Sequence, residues 1–396
     1  MDKVHPKVEE AIDTLNMKDG PSRRRLLKGT GLVSATAAAS ALLAACSSSS
    51  SASPTSSSSG SAAASTIGDF PKTPPWKFWF VNHVFANPFF VPTQYGFADA
   101  AALLGLPKPN WGGSASTSSV SQMVTYLDSA ISASADGIAT TVINSTGFTG
   151  PVMKAMNAGI PVVTYNADGT VNSKGVPDIG TNRLCYVGQA LYISGQQLGE
   201  RIKSLVTTPG EIAIFIATPG TGNIQPRYDG AASILNPLGY KISEIATGAA
   251  TNAELPAEKA YLLGHKSIKG AFAVDAGSTE FLAQALSASG MAGKIPAGGF
   301  DLTPTTLSSI KSGAIEFTID QQPYLQGFLP VLYLYMYKLS GGLVAPPDTD
   351  TGLTFVTKTT VDPYLASPSR YEGSTTAEKL LTRSGPIVNP VGTTST

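Results

Sequence analysis

From Lys77 onward, short apolar runs with no helical period alternate with segments whose apolar residues recur every three or four positions. This alternation is the pattern of βα units, and it confines the chain to an α/β fold built on parallel sheets. In the first series, Phe78 to Val81 reads as a strand covered on both faces. A helix over 92–104 and a second strand ending near Trp111 follow, then a polar loop over 112–119. Val120, Met123, Val124, Leu127 and Ile131 form one buried helical stripe. Next come a strand over 137–143, a loop over 144–150, a helix over 151–158 with Pro151 in its first turn, and a strand over 159–166.

A polar crossing over 167–182 leads to a second series. Strands are expected at 211–217, 240–246, 270–274, 297–300 and 315–319, with helices at 191–206, 256–263, 280–287 and 304–312. Asp320-Gln321-Gln322-Pro323 interrupts the last strand. The segment 324–339 is strongly apolar, but it is short and carries Gln326 and Pro330, so it reads as a buried packing helix and not as a membrane span. One more strand is expected at 353–356. Roughly 325 residues follow the amino-terminal region, more than one core usually supports, and two Rossmann-like lobes are the expectation. Residues 346–396 are expected to supply a strand and a tail.

The amino end has a different character. Ser22-Arg23-Arg24-Arg25 precedes an Ala- and Leu-rich run that ends Leu43-Ala44-Ala45-Cys46. A basic segment feeding a short apolar one is an export signal, and this one resembles the twin-arginine signals of bacteria, ending in what looks like a lipoprotein cleavage site. Residues 1–46 are thus expected to be the signal, with Cys46 as the lipidated residue and the mature chain held at the outer face of the cytoplasmic membrane by a lipid anchor. Residues 47–70, almost entirely Ser and Ala up to Thr66, cannot bury enough apolar surface to fold and read as a flexible leash. Of the two cysteines only Cys185 remains, so no intramolecular disulfide and no cysteine metal cluster is expected. Net charge is zero with 14% charged residues, and no basic face recommends nucleic acid.

The loop after the first strand, His83-Val84-Phe85-Ala86-Asn87-Pro88-Phe89-Phe90, lies where open α/β sheets bind ligands. An amide beside aromatic faces suits a ligand with one C–H face and a polar rim, such as a sugar ring. From these residues alone the other reading stays open: both rings in the core, and Asn87 as a helix cap.

Five stretches, part of this loop among them, carry a resemblance. Asn87-Pro88-Phe89-Phe90, Gly159-Ile160-Pro161-Val162-Val163, Asn223-Ile224-Gln225-Pro226-Arg227-Tyr228-Asp229-Gly230, Gly299-Phe300-Asp301 and Thr318-Ile319-Asp320-Gln321-Gln322-Pro323 occur in this order. In this the chain resembles the sugar-binding proteins of bacterial ABC importers, the periplasmic binding protein type with ribose- and galactose-binding members, over about residues 76–360. The resemblance implies two lobes, residues 76–180 with 323–345 and residues 182–321, joined by three hinge crossings with a ligand cleft between them that closes on a monosaccharide or related polyol, a closed form recognised by a membrane permease, a monomer, and no cofactor or metal. It implies that Phe89 and Phe90 stack on the sugar and that Asn87, Asp275, Asp301 and Gln321 bond its hydroxyls, with Arg227 as a donor. Asn144 stands where relatives often carry an acid, so the contact there is expected to be neutral. Asp275 is equally placed to cap the helix after it.

Other readings lead elsewhere. A glycosidase needs two carboxylates flanking the scissile bond, whereas Asp275 and Asp301 both fall in the second lobe, so no enzyme is expected. The same fold serves binders of nucleosides, amino acids or furanosyl signals, and sensor ectodomains. A zwitterion wants charges of both signs, which this set supplies only through Arg227.

Overall fold

A computed structural model describes residues 71–169, 182–342 and 345–366. The expected signal and leash, the end of the tail and most of the expected 167–182 crossing lie outside the described residues.

The first sheet is built around β1 (Phe78–Asn82), with β2 (Asn110–Gly113), β3 (Gly137–Val142), β4 (Val162–Asp168), β5 (Tyr186–Gly188) and β11 (Asp348–Asp350) in the order β11-β5-β4-β3-β1-β2, every pairing parallel. Side chains of β1 alternate between two cores. Phe78 and Phe80 pack with Phe97 of α1 (Val91–Leu103) and with Val331 and Leu334 of the late helix Pro323–Ser340. Val81 packs with Met123 and Leu127 of α2 (Val120–Ser132) and Phe148 and Val152 of α3 (Ser145–Asn157). Each fully buried Phe contributes about 1.5–3 kcal/mol relative to an exposed one. Double coverage is why these strands read as unbroken apolar runs.

The second sheet repeats the plan. β6 (Glu211–Ile216), β7 (Lys241–Ala246), β8 (Gly270–Ala273), β9 (Ala297–Phe300), β10 (Phe317–Asp320) and β12 (Thr354–Thr357) lie in the order β12-β10-β9-β8-β6-β7. All pairs are parallel except β10 with β12, where Phe317 meets Thr357 in an antiparallel edge. Around it pack α4 (Leu191–Leu205), α5 (Gln225–Leu235), α6 (Thr251–Gly264), α7 (Ala276–Ala288) and α8 (Pro304–Ser312). Helices α4 and α5 touch through backbone: a Cβ on Gly195 would overlap the carbonyl of Arg227.

Three helices start earlier than their sequences suggest. α3 begins at Ser145, capped by Asn144, and Pro151 sits inside it; α6 begins at Thr251 with Pro256 inside; α7 begins at Ala276. Polar and Gly-rich first turns hide these starts, and in α3 the buried Phe148 supplies the tertiary anchor that overrides the weak local propensity. The passage between the sheets also differs from expectation. β5 pairs with β4 in the first sheet, so residues 186–188 belong there and the chain crosses only at Gln189-Ala190 before α4. It returns at Gln321-Gln322, from β10 into α9 (Pro323–Ser340), and crosses a third time between β11 and β12. Among the described residues no helix is long and apolar enough to cross a membrane. Cys185 is buried and unpaired, and burial pushes its thiol up to about 12.

Candidate functional site

Both sheets end in a cleft of volume ≈ 80 Å³, lined from one side by the β1 loop and from the other by the loops after β6, β8, β9 and β10. This is the crevice outside the strand ends where open α/β folds hold ligands.

In the β1 loop Asn87 caps a short turn, its Oδ1 accepting from Phe89 N at 2.9 Å. Its amide nitrogen is left for the cleft, so capping and ligand contact are compatible in one side chain. Phe89 is half-buried and meets Phe90 edge to face at 4.7 Å. Phe90 is 1% exposed and packs on Trp111 and His83. Phe90 therefore serves core and cleft wall together, while Phe89 is the more available ring. Trp111 is a core residue whose Nε1 donates to Phe85 O at 3.2 Å.

The second lobe supplies the charges. Arg227 is 2% exposed; it donates to Val274 O at 2.9 Å and lies 4.2 Å above the Phe300 ring. Burial lowers its pKa while Asp301 and Asp275 raise it, and the guanidinium stays cationic. Its Nε is buried without a partner. Asp301 accepts from Gln321 Nε2 at 2.6 Å, and burial pushes its carboxyl up to about 6 against the opposing pull of Arg227 and Gln321. Its backbone sits at φ 77, which costs a non-glycine residue about 1–2 kcal/mol; Asp301 N to Ile319 O and Thr318 Oγ1 to Asp301 O hold it there. Asp275 caps α7: its oxygens accept from Ser278 N, Ser278 Oγ and Ala217 N at 3.0, 3.1 and 2.8 Å. Burial raises its pKa as well.

Gln321 also ties the cleft to the crossings. Its Oε1 and its backbone carbonyl accept from Gln326 Nε2, each at 3.1 Å; Gln326 Oε1 accepts from Asn166 Nδ2 at 3.0 Å; and Thr351 Oγ1 donates to Gln321 O at 2.7 Å. Asn166 and Gln322, at φ 62 and 56, share the left-handed backbone of Asp301. Strained residues over-determined by hydrogen bonds at a crossing are suited to a hinge. Across the cleft mouth the lobes touch at Asn223 Nδ2 with His83 Nε2, 3.3 Å, and at Gly222 N with Ile143 O, 2.9 Å.

The structure thus brings together Asn87, Phe89, Phe90, Arg227, Asp275, Asp301 and Gln321. Asn144 does not join them. It is exposed and caps α3 through Gly147 N at 2.8 Å, which is what an amide after a strand does when a helix starts at once. Cys46 lies outside the described residues. Sequence reasoning missed three cleft residues, Asn166, Asn223 and Glu254; His83, which the sequence leaves open between a ligand-loop neighbour and a surface imidazole, is 4% exposed and lines the cleft. Asn223 stood within a quoted motif; Glu254 had no signal, because its helix was expected to begin only at 256.

Two parallel-sheet lobes, three crossings and a polar, aromatic-lined cleft between them define a hinged solute-binding protein. The chain belongs to the periplasmic binding protein domain family, which it matches over residues 78–341. That is a family of binding proteins and not of enzymes. It is 48% identical to the xylose/arabinose-binding protein XylF of Sulfolobus acidocaldarius over 322 residues, 79% of this chain and 78% of that one. It is similar to an ABC transporter solute-binding protein from Burkholderia graminis in complex with D-arabinose, with TM-score 0.66 and 26% identity over 75% of this chain and 99% of that one. A solute-binding protein from Agrobacterium vitis with bound D-fucose shares the fold, with TM-score 0.66 and 21% identity over 75% of this chain and 99% of the other.

Proposed function

We propose that this protein is the extracytoplasmic receptor of an ABC importer and that it binds a monosaccharide of the aldopentose type, xylose or arabinose. The observation that carries this reading is the joint placement, in one cleft, of the half-buried Phe89 ring with Arg227, Asp301 and Gln321 from the other lobe. A ring face takes the C–H side of a sugar, and charged groups bond its hydroxyls more strongly than neutral ones do. Among the described residues Arg227 is the one cation in that wall, against the acids Glu254, Asp275 and Asp301, and this suits a neutral polyol better than a zwitterion. The 48% identity to a xylose/arabinose-binding protein supports the pentose class.

Closure follows from the geometry. Only when both lobes touch the sugar are all these contacts made, so ligand shifts the population toward the closed form that a permease recognises. Lipidation at Cys46 with residues 47–70 as tether would keep the monomer beside that permease. The order of basic segment, apolar run and Leu43-Ala44-Ala45-Cys46 supports the anchor. Titration calorimetry with D-xylose, L-arabinose, D-arabinose, D-glucose, adenosine and glutamine tests the ligand class: heat from a pentose is expected, and heat from adenosine or glutamine alone would overturn it. Release of a Cys46→Ser variant from the membrane fraction is the expected result for the anchor, and retention would refute it.

A further inference from the structure

We propose that the Glu254 carboxyl group is a further ligand contact, reading one hydroxyl at the edge of the cleft formed by α6. This rests on the sugar reading above. Glu254 lies in the first turn of α6, is 4% exposed, and lines the same cleft as Asp275 and Asp301. Its Oε2 is fully buried and has no hydrogen-bond partner. Native structures seldom leave such an atom unsatisfied without a use for it.

Three further features favour a ligand as the missing partner. First, the site is built to admit the group: a Cβ on Gly277, in the first turn of α7, would overlap both Glu254 oxygens, so the carboxyl rests where only glycine leaves room. Second, Asp275, which the family resemblance makes a hydroxyl contact on this side, has both oxygens engaged by Ser278 and Ala217. Beside it Glu254 is the cleft-lining carboxyl with an unpartnered oxygen, while Glu258, whose oxygens also lack partners, lies outside the cleft lining. Third, Glu254 is kept neutral. Burial, with Asp275 and Glu280 facing it from α7, pushes it up to about 9, and on its own helix the next turn presents Glu258, another buried acid. Arg227 acts on Asp275 and Asp301 but not on Glu254. A neutral carboxyl both donates and accepts, as a hydroxyl does, so one sugar hydroxyl satisfies it in both directions.

The test is titration calorimetry of the wild-type chain, Glu254→Ala and Glu254→Gln with D-xylose, L-arabinose and the monodeoxy derivatives of each. Glu254→Ala is expected to weaken the parent sugar at least tenfold while leaving one deoxy derivative within threefold of its wild-type affinity. Glu254→Gln, which keeps a donor and an acceptor, is expected to bind the parent sugar within threefold of wild type. Wild-type affinity of Glu254→Ala for every sugar, or an equal loss for the parent and all derivatives, would overturn the proposal and leave the sugar reading standing. Silence of the wild-type chain toward all of these sugars would instead overturn the sugar reading, and this contact with it.

Discussion

Asn223 of the second lobe donates from Nδ2 to Nε2 of His83 in the first, at 3.3 Å. With Nε2 accepting, the proton sits on Nδ1, which donates to Thr141 Oγ1 at 3.1 Å. The bond spans the cleft mouth, so opening the lobes must break it. Asn223→Ala is therefore expected to reduce ligand affinity about fivefold, the equivalent of one hydrogen bond of about 1 kcal/mol, mainly by faster release. Stopped-flow ligand release measures this, and an unchanged release rate would show that the bond does not hold the lobes.

His83 and the α6 acids act on stability with opposite signs. Burial lowers His83 from 6.5 to about 3, so its contribution is present above pH 6.5 and is lost as pH falls toward 3. Glu254, raised from 4.5 to about 9, contributes fully below pH 4.5 and loses that contribution as pH rises through 9; Glu258 shifts in the same direction. Denaturant melts of the ligand-free protein between pH 3 and 10 are expected to show Glu258→Gln flattening the alkaline limb and His83→Gln the acid limb. Parallel curves for variant and wild type would refute the assignments.

Gly195 places Arg227 as well as packing α4 on α5. Gly195→Ala is expected to cost about 2–3 kcal/mol by overpacking and to weaken ligand binding, because the helix that must move carries the guanidinium. A variant that loses stability but keeps full affinity would separate the two roles.

The fold was legible because its signal is strong at each element: doubly covered strands such as Phe78 to Val81 and striped helices such as α2 need little tertiary help. Where tertiary contacts decide, reading failed. β5 is three residues long and is a strand only because β4 and β11 flank it. The first turn of α3, Ser-Thr-Gly-Phe, becomes helical because Phe148 is buried. The placement of the β1 loop, Arg227, Asp301 and Gln321 at the cleft was legible through motif order. Glu254 was not, since nothing in Thr-Asn-Ala-Glu-Leu announces a buried carboxyl against a glycine two elements away.

On the proposed sugar reading Phe89 contributes through its ring face. Phe89→Ala is expected to weaken sugar binding roughly tenfold by loss of stacking and apolar contact, while Phe90→Ala destabilises the ligand-free protein by about 3–5 kcal/mol because that ring is core. Thermal melts with and without sugar distinguish the two, and equal effects on stability would contradict the division of roles.

On the proposed sugar reading Asp301, fixed by Gln321 and set against Arg227, anchors a sugar hydroxyl between the lobes. Titration calorimetry of wild-type and Asp301→Ala protein with D-xylose and L-arabinose tests it most directly. Binding by the wild type to at least one of the two pentoses is expected, with a loss of a hundredfold or more in the variant, on the order of 3 kcal/mol for a buried charge-assisted bond. Pentose binding that survives Asp301→Ala undiminished would contradict it.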